Sequence, residues 1–441
     1  IFMNYYSLNG KSPSVSFKDA LIRGLAPDKG LYFPEKISKL SNDFINNIEN
    51  YSNEEIAYEC INQFVGQDIP EQELRKIIDD VLSFDFPLVK LNNKISFLEL
   101  FHGPTMAFKD VGARFMSRCL AYLLKDSKEN ADVTVLVATS GDTGGAVASG
   151  FYKVKGIKVV ILYPKGKVSN VQEKQLTTLG ENITALEVDG TFDDCQSMVK
   201  KAFLDKGLSN KIRLTSANSI NIGRWLPQMF YFFFSYRDLK LSIEDKVAYS
   251  VPSGNFGNIC AGMLAKEMGL PIGKFIASNN INDVVNRYLN TKIYDSKPSI
   301  QTISNAMDVG DPSNFIRISN IYKNDFNSIK ENLHTCSFND DETVEGIKEI
   351  ITEFSYIPDP HGAVGYLGAK DFLKSHPDYK CVILGTAHPS KFSEVINLYT
   401  NNLKIPHQIS SVMDKKKESV CIDSYLDFKN YEDYFLWIRL L

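Results

Sequence analysis

A lysine between two distinctive neighbours is the residue with the clearest chemical potential in this 441-residue chain. Lys109 lies between Phe108 and Asp110, where a loop containing Gly and Pro gives way to a sequence with helical periodicity. A lysine at such a junction, shielded on one side by Phe108, loses part of its hydration, which lowers its pKa and makes the amine nucleophilic. An isolated lysine at a helix start would be an ordinary solvated side chain, so this interpretation depends on the rest of the sequence.

A loop at residues 253–258, with the sequence Ser-Gly-Asn-Phe-Gly-Asn, has the form of a phosphate-binding site. Gly254 and Gly257 allow the backbone to approach an anion closely. The helix predicted to follow offers unpaired N–H groups and the positive end of its dipole. The loop lacks the GK[ST] ending of a Walker loop and the third glycine of a GxGxxG fingerprint. On its own, such a loop is about as often a plain strand–helix turn.

Two further polar segments precede predicted helices. Residues 139–145, Thr-Ser-Gly-Asp-Thr-Gly-Gly, could hold a carboxylate or phosphate through helix N–H groups and hydroxyls, but a cluster of capping residues explains them equally well. Asp142 would repel an anion beside it, so we expect it to contact a hydroxyl or an amine. In residues 216–224, helix capping explains Asn218 and Ser219 but not Arg224, whose planar guanidinium suits a phosphate or carboxylate.

These segments must be positioned by an alternation of strands and helices. Short apolar runs predict strands at residues 133–138, 157–163, 183–188, 247–251, 275–277 and 381–384. Helical patterns lie between them, including one long pattern at 221–236. The alternation predicts an α/β fold with two parallel or mostly parallel sheets and helices on both faces, in which ligands bind beyond the carboxyl ends of the strands. Loops 139–145, 253–258 and 385–389 follow such strands, and the fold must bring the lysine loop to them.

The length predicts two or three domains. We expect a small N-terminal domain at residues 1–92, a catalytic α/β region at 93–400, and a C-terminal tail at 401–441. The catalytic region would comprise two subdomains, the smaller one around 100–225. The Asn- and Ser-rich stretch near 280–342 is expected to be an irregular insertion.

Composition excludes several classes of protein. A net charge of −4 and a pI of about 6.0 provide no basic field that would recruit nucleic acid. Seven dispersed cysteines without a CxxC pair indicate reduced, buried side chains in a cytoplasmic protein. No signal peptide is visible, and the most apolar stretch, 225–234, is too short to span a bilayer. No two histidines have metal-ligand spacing, so no metal is expected.

Taken together, these segments resemble the threonine synthase family, whose members are pyridoxal-phosphate (PLP) enzymes of the tryptophan synthase β fold group. Residues 102–110, His-Gly-Pro-Thr-Met-Ala-Phe-Lys-Asp, look like the cofactor-lysine motif of the family, a motif that dehydratases share. The other similar blocks make the resemblance more specific, and they are residues 24–34, 138–144, 216–224, 253–258 and 384–392.

The resemblance implies that Lys109 is the catalytic residue and holds PLP through a Schiff base. It implies that the cofactor phosphate is bound by five consecutive residues, Gly254, Asn255, Phe256, Gly257 and Asn258, and that Thr386 meets the pyridine nitrogen. The residues expected to bind substrate are Ser140, Asp142, Thr143, Asn218 and Arg224. Asp142 would also stand beside the 3′-hydroxyl of the cofactor, where many relatives carry Asn.

The implied reaction converts O-phospho-L-homoserine and water to L-threonine and phosphate, the last step of threonine biosynthesis, in a monomer or weak homodimer. Two alternatives from different classes stay open. A threonine or serine dehydratase, or a phospho-lyase, would use Lys109 and the glycine loop on the same scaffold. A nucleotide-binding regulatory protein would use residues 253–258 for a phosphate, but it leaves Lys109 and Thr386 unexplained.

Overall fold

The computed structural model describes residues 3–125, 133–241 and 245–438. Residues 1–2 of the predicted N-terminal domain and 439–441 of the predicted tail lie outside the described residues. The N-terminal part combines a three-stranded antiparallel sheet, in the order β2-β1-β3, with four helices. Its strands are β1 (Asn4–Ser7), β2 (Val15–Ser16) and β3 (Tyr32–Pro34), and its helices are α1 (Phe17–Arg23), α2 (Asn42–Asn46), α3 (Asn53–Val65) and α4 (Glu71–Val81).

Strands and helices alternate through the centre of the chain. The elements up to residue 241 are β4 (Leu88–Lys90), β5 (Ile95–Glu99), α5 (Lys109–Leu124), β6 (Val133–Ala138), α6 (Asp142–Phe151), β7 (Ile157–Pro164), α7 (Asn170–Thr177), β8 (Ile183–Val188), α8 (Phe192–Leu204), α9 (Lys206–Ser209), β9 (Arg213–Ser216), α10 (Ile222–Trp225) and α11 (Phe230–Leu239). Those that follow are β10 (Lys246–Pro252), α12 (Gly257–Glu267), β11 (Lys274–Asn279), α13 (Val284–Thr291), α14 (Phe315–Ile321), α15 (Phe326–Asn332), β12 (Leu333–Ser337), α16 (Asp340–Phe354), α17 (Pro360–Ser375), β13 (Tyr379–Gly385) and α18 (Ser393–Ile396).

The last part of the chain adds α19 (His407–Met413), β14 (Val420–Ile422) and α20 (Tyr425–Ile438). Five strands in the order β14-β8-β7-β6-β9 form a wholly parallel sheet. Six strands in the order β12-β11-β10-β13-β5-β4 form a second sheet, in which only β4 runs antiparallel to its neighbour. The predicted α/β fold with two mostly parallel sheets is therefore confirmed.

Alternation of side chains along β10 shows that both faces of the larger sheet are covered. Val247, Tyr249 and Val251 belong to the main hydrophobic core, whereas Ala248 belongs to a separate core on the other face. Successive residues of a strand point to opposite faces, so a strand that is buried from its second residue to its last must lie between two covering layers.

The prediction of a single long helix at residues 221–236 is wrong in one respect. The segment is buried throughout, as expected, but α10 and α11 are separated by a 3-10 helix at Leu226–Met229. Pro227 lies inside that turn, and proline removes a backbone N–H that a continuous helix would need.

The prediction of an irregular insertion near residues 280–342 is also wrong in part. Helices α13, α14 and α15 form there, and β12 becomes the edge strand of the larger sheet. Residues 292–304 lack helix and strand, as expected, but buried side-chain hydrogen bonds hold them. The Asn280 amide donates to the Thr302 hydroxyl and to Asp308, each at 2.9 Å, so asparagine side chains replace backbone pairing here.

The C-terminal segment is not a free tail, although the domain limits themselves stay a prediction. Strand β14 pairs with β8, and Phe428 of α20 is buried in the core of the smaller sheet. The hydrophobic pattern of the sequence does not indicate this strand, because β14 has only three residues, of which Val420 and Cys421 are exposed. None of the helices within the described ranges has the length and apolar content needed to cross a membrane.

Candidate active site

One cavity of about 460 Å³ lies at the carboxyl ends of strands from both sheets. Its walls come from the loops that follow β6, β9, β10 and β13 and from the start of α5. All the site residues named from the sequence line it, namely Lys109, Ser140, Asp142, Thr143, Asn218, Arg224, Gly254, Asn255, Phe256, Gly257, Asn258 and Thr386. The structure thus brings them together at the sheet edge where parallel α/β folds bind ligands.

The lysine loop reaches this edge by pairing with the chain beyond β13. Ala107 and Ala387 form an isolated antiparallel bridge, and the backbone N–H of Phe108 donates to the Thr386 carbonyl at 2.9 Å. Strand β5, which leads into the loop, runs parallel to β13. The predicted requirement that the fold carry Lys109 to the other loops is met by this pairing.

Burial lowers the pKa of Lys109 to about 8. Loss of hydration is the largest cause, and the positive charges of Lys391 and Arg224 add to it. Asp142 and Asp359 act in the opposite direction. The amine lies 5.2 Å from the centre of the Phe108 ring, which shields it as the sequence indicated. About a tenth of this amine is therefore neutral and nucleophilic at pH 7, far more than for an ordinary lysine.

Asp142 meets an amine, as its position beside a candidate anion site suggested. Lys391 Nζ lies 2.7 Å from Asp142 Oδ1, and both side chains are almost wholly buried. The Gln172 amide donates to the same oxygen at 3.0 Å. Burial opposes the charge of the carboxylate, but Lys391, Lys109 and the Gln172 hydrogen bond outweigh it and hold the pKa of Asp142 well below its usual range.

Lys391 was not identified from the sequence as a site residue. It lies in the 3-10 helix Pro389–Phe392, within the conspicuous block at residues 384–392. That block could have suggested a role for Lys391, but only the structure shows that its side chain is wholly buried and therefore requires a partner. The partner could not be named, because Asp142 is distant in sequence and the sequence pattern indicated no pairing with it.

The loop at residues 253–258 has the geometry of an anion cradle. It begins beyond β10 and leads into α12, whose first N–H groups have no partners within the helix. Phe256 adopts a left-handed conformation with φ 59°, which turns the chain sharply into that helix. At Gly254 a Cβ atom would lie 2.7 Å from the Ala306 carbonyl oxygen and 2.8 Å from Met307 Cα, so only glycine fits.

Two asparagines of this loop have different surroundings. Asn255 is fixed on both sides, since its amide donates to the Ser219 hydroxyl at 2.9 Å and its oxygen accepts from the Ser313 N–H at 2.6 Å. The oxygen of Asn258 accepts from the Tyr231 hydroxyl at 2.7 Å, but its buried Nδ2 has no hydrogen-bond partner among the described residues. A donor of this kind beside a cavity fits an anionic ligand.

Asn218, Arg224 and Thr139 hold the polar loops of the smaller sheet in place. The amide of Asn218 donates to the Ala138 carbonyl at 2.9 Å. The predicted capping by Asn218 and Ser219 is wrong, because the side chain of Asn221 caps α10 instead. Arg224 is buried, with Nη1 donating to the Ala217 carbonyl and Nε lacking a partner among the described residues. Thr139 Oγ1 accepts from two backbone N–H groups at the start of α6, those of Gly141 and Gly144.

The segment around residue 306, which the sequence did not predict as part of the site, forms one wall of the cavity. The Ala306 N–H donates to His361 Nε2 at 3.1 Å, and His361 Nδ1 lies 2.5 Å from Asp359 Oδ2. This arrangement presses Ala306 and Met307 against Gly254. Nearby, burial raises the pKa of Asp308 to about 6.

A phosphorylated aldehyde such as PLP fits these features. The amine that could bind the aldehyde and the N–H groups that could bind the phosphate face the same cavity. The unpaired Nδ2 of Asn258 supplies one further donor. Because Gly254 has no side chain, an anion can approach the backbone of the cradle closely. Within the described residues no cluster of His, Cys, Asp or Glu has the arrangement of a metal site.

Comparison with known families gives three matches that together span most of the chain. The family described as "Threonine synthase N terminus" matches residues 4–82, and "Pyridoxal-phosphate dependent enzyme" matches residues 85–386. The family described as "Threonine synthase, C-terminal" matches residues 362–431.

Individual relatives agree with these matches. The threonine synthase of Buchnera aphidicola subsp. Acyrthosiphon pisum is 41% identical over 414 residues, which are 93% of this chain and 95% of the relative. The crystal structure of threonine synthase from Escherichia coli superposes with a TM-score of 0.92 at 38% identity and covers 98% of this chain and 100% of its own. The PLP-bound threonine synthase from Brucella melitensis has a TM-score of 0.89 at 32% identity, with 97% and 98% covered.

Proposed function

The chain belongs to the threonine synthase family of PLP-dependent enzymes, and on that premise we propose that its substrate is O-phospho-L-homoserine. The chain is a PLP-dependent lyase with threonine synthase activity, and it acts on a small molecule. With the proposed substrate, the reaction consumes water and yields L-threonine and phosphate, the last step of threonine biosynthesis. The observation that carries the proposal is the presence of Lys109 and the glycine cradle on one cavity.

We assign the cofactor-binding roles as follows. Lys109 holds PLP covalently through its Nζ, because it is a partly desolvated amine with a pKa of about 8. Residues 254–258 bind the phosphate through backbone N–H groups and the free amide of Asn258. Thr386 would meet the pyridine nitrogen, and its carbonyl accepts the hydrogen bond from the Phe108 N–H. With a hydroxyl rather than a carboxylate as its partner, that nitrogen would remain largely unprotonated, and the cofactor would withdraw electrons less strongly.

When bound, PLP supplies an electron sink that stabilises negative charge on the carbon next to the substrate amine. Lys109 then acts as the base that takes and returns protons at neighbouring carbons. One base must act several times in this reaction, and efficiency is greatest when its pKa lies near the operating pH. A pKa of about 8 suits Lys109 Nζ to that task better than the pKa of an ordinary lysine.

The substrate carries a phosphate at one end and a carboxylate at the other, and the cavity offers several groups for them. Arg224 has an unpaired Nε, and Ser140 and Thr143 line the cavity at the start of α6. We propose that these three side chains, with Asn218, bind the two anionic ends. Asp142 takes no part in binding an anion, because it is itself a carboxylate neutralised by Lys391.

The test is a product assay on the purified holoenzyme with O-phospho-L-homoserine. We expect L-threonine and phosphate in equal amounts, no 2-oxobutanoate, and a change in the visible spectrum when substrate is added. Lys109→Ala should abolish both turnover and the yellow colour, whereas Lys417→Ala, which removes a lysine remote from the cavity, should leave both intact. Near-normal turnover by Lys109→Ala would end the proposal.

Arg224→Ala separates binding of substrate from binding of cofactor. Loss of the guanidinium should raise KM by about 10-fold or more, because a charged hydrogen bond to an anion contributes about 1.5–3 kcal/mol, while the colour stays. A colourless Arg224→Ala enzyme would mean that Arg224 binds the cofactor and not only the substrate.

Neither alternative function is favoured. A dehydratase would form 2-oxobutanoate in the product assay, and the sequence relatives named above are threonine synthases over nearly their whole length. The hypothesis of a nucleotide-binding regulatory protein gives no function to the desolvated amine of Lys109. We further propose that the enzyme is cytoplasmic, for which the support is its free cysteines, six of them buried. A monomer or weak homodimer is part of the same proposal.

A further inference from the structure

A buried lysine that the proposed reaction does not use connects three of the loops around the cavity. Lys391 Nζ lies 2.7 Å from Asp142 Oδ1 and donates to the Thr105 carbonyl at 2.9 Å. Lys391 itself follows β13, Asp142 begins α6, and Thr105 belongs to the loop that carries Lys109. One ammonium group therefore links both sheets to the lysine loop.

The Thr105 end of this connection continues to the neighbour of Lys109. The Thr105 carbonyl also accepts from the Gln175 amide at 3.0 Å. The N–H and hydroxyl of Thr105 donate to the buried carboxylate of Asp110 at 2.9 and 2.6 Å. Every polar atom of Thr105 is thus engaged, so the backbone leading to Lys109 is fixed from two directions.

The charges of the pair act on Lys109 with opposite signs. Asp142 lines the cavity and favours the protonated amine, whereas Lys391 lies behind the cavity lining and disfavours it. The other charged groups that act on Lys109 are Arg224 and Asp359. Without Lys391, an unbalanced carboxylate would face the reactive nitrogen.

We propose that Lys391 is a positioning residue of the active site, which holds the Asp142 carboxylate in place and balances its charge beside Lys109. Lys391 touches neither substrate nor cofactor, because its side chain is wholly buried and its ammonium group is engaged by protein oxygens. The inference rests on the proposed role of Lys109 as the residue that holds PLP.

The experiment is a pH titration of the visible absorption of the bound cofactor, which reports protonation of the nitrogen that Lys109 contributes. The variants are Lys391→Met, Asp142→Asn and the double variant. Removing Lys391 alone should raise the pH midpoint by about one unit, and removing the Asp142 charge alone should lower it by a similar amount. The double variant should return to within about 0.3 unit of the wild type, because both charges leave together.

Lys417→Met is the matched control, since it removes a lysine from a partly exposed ion pair with Glu173 and Glu187 outside the cavity. Its midpoint should equal that of the wild type. If Lys391→Met does not fold, Lys391→Gln, which is neutral but can still donate a hydrogen bond, carries the same test. A midpoint that stays within 0.3 unit in the folded single variant at Lys391 overturns the proposal.

The outcomes also separate this inference from the function it rests on. A wild-type protein whose bound PLP keeps the absorption spectrum of the free aldehyde refutes the role of Lys109, whatever Lys391 does. A normal wild-type band whose midpoint responds to Asp142→Asn but not to either Lys391 variant refutes only the charge balance. Shifts of the same sign in both single variants would indicate a general loosening of the site and would also refute it.

Discussion

Replacing Gly254 by alanine is a direct test of whether the loop at residues 253–258 is the phosphate cradle. A Cβ at this position would lie 2.7 Å from the Ala306 carbonyl oxygen and 2.8 Å from Met307 Cα. Both are backbone atoms, which cannot swing away as the end of a flexible side chain would. The His361–Ala306 hydrogen bond further fixes that wall. The loop must therefore move, and its N–H groups move with it.

The magnitude follows from the general cost of overpacking. An added methyl group in a well-packed site costs about 1–3 kcal/mol when neighbouring backbone has to shift. If this cost falls on the cofactor-bound state, the dissociation constant for PLP should rise about 5- to 150-fold, since 1.4 kcal/mol corresponds to a factor of ten. We expect a value inside this range, because the clash involves two backbone atoms of one neighbouring turn.

The assay is a titration of the cofactor-free protein with PLP, followed by visible absorption, with thermal unfolding of the same samples. Gly145→Ala is the matched control, because a Cβ there would meet only side-chain atoms of Gln175, the nearest at 3.4 Å, an ordinary contact. The control should bind PLP like the wild type. A Gly254→Ala protein that binds PLP within twofold of the wild type would show that this loop does not hold the phosphate.

In the cofactor-free protein, acylation of Lys109 should quicken with rising pH, reach half its maximal rate near pH 8 and level off above about pH 9, because burial lowers the pKa of this amine to about 8 and only the neutral amine reacts; peptide mass spectrometry would follow it, and a steady rise to pH 10 would contradict the lowered pKa. Arg317→Met should lower the free energy of unfolding by about 3 kcal/mol, since the buried guanidinium donates to the carbonyls of Ser219 and Ile220 and its loss leaves both acceptors without this partner; urea unfolding measures this, and a loss below 1 kcal/mol would contradict it. Ile409→Ala should cost about 2–4 kcal/mol in the same assay, because this side chain is buried in a small cluster under the lysine loop; an unchanged midpoint would mean that α19 is not packed there.

Local patterns were sufficient for the elements that hold the site. The strands at Val133–Ala138 and Ile183–Val188 coincide with the predicted runs, because β-branched apolar residues between turn signals leave little choice of conformation. The glycine loops were recognisable for a similar reason, since parallel strands deliver their following loops to one edge. The cavity position of Lys109 could not be predicted in this way, because it depends on the pairing of its loop with residues beyond β13, which are distant in sequence.

The features that escaped the sequence depend on contacts between distant residues. The ion pair of Asp142 with Lys391 joins two loops that are distant in sequence. An aspartate or a lysine in a sequence does not by itself indicate a buried position. The wall at residue 306 is held by Asn280, Thr302 and Asp308 through side-chain hydrogen bonds, which leave no periodic pattern. Strand β12 and the C-terminal β14 are stabilised by existing sheet edges rather than by their own propensity.

The covalent attachment of the cofactor is the central claim, and one measurement addresses it without relying on catalysis. The holoenzyme is reduced with borohydride, digested, and the modified peptide is sequenced by mass spectrometry. We predict a single reduced phosphopyridoxyl group on Lys109, in the peptide that follows Phe108. Attachment at another lysine, such as Lys391, or no attachment in a protein that retains bound PLP, would contradict the assignment.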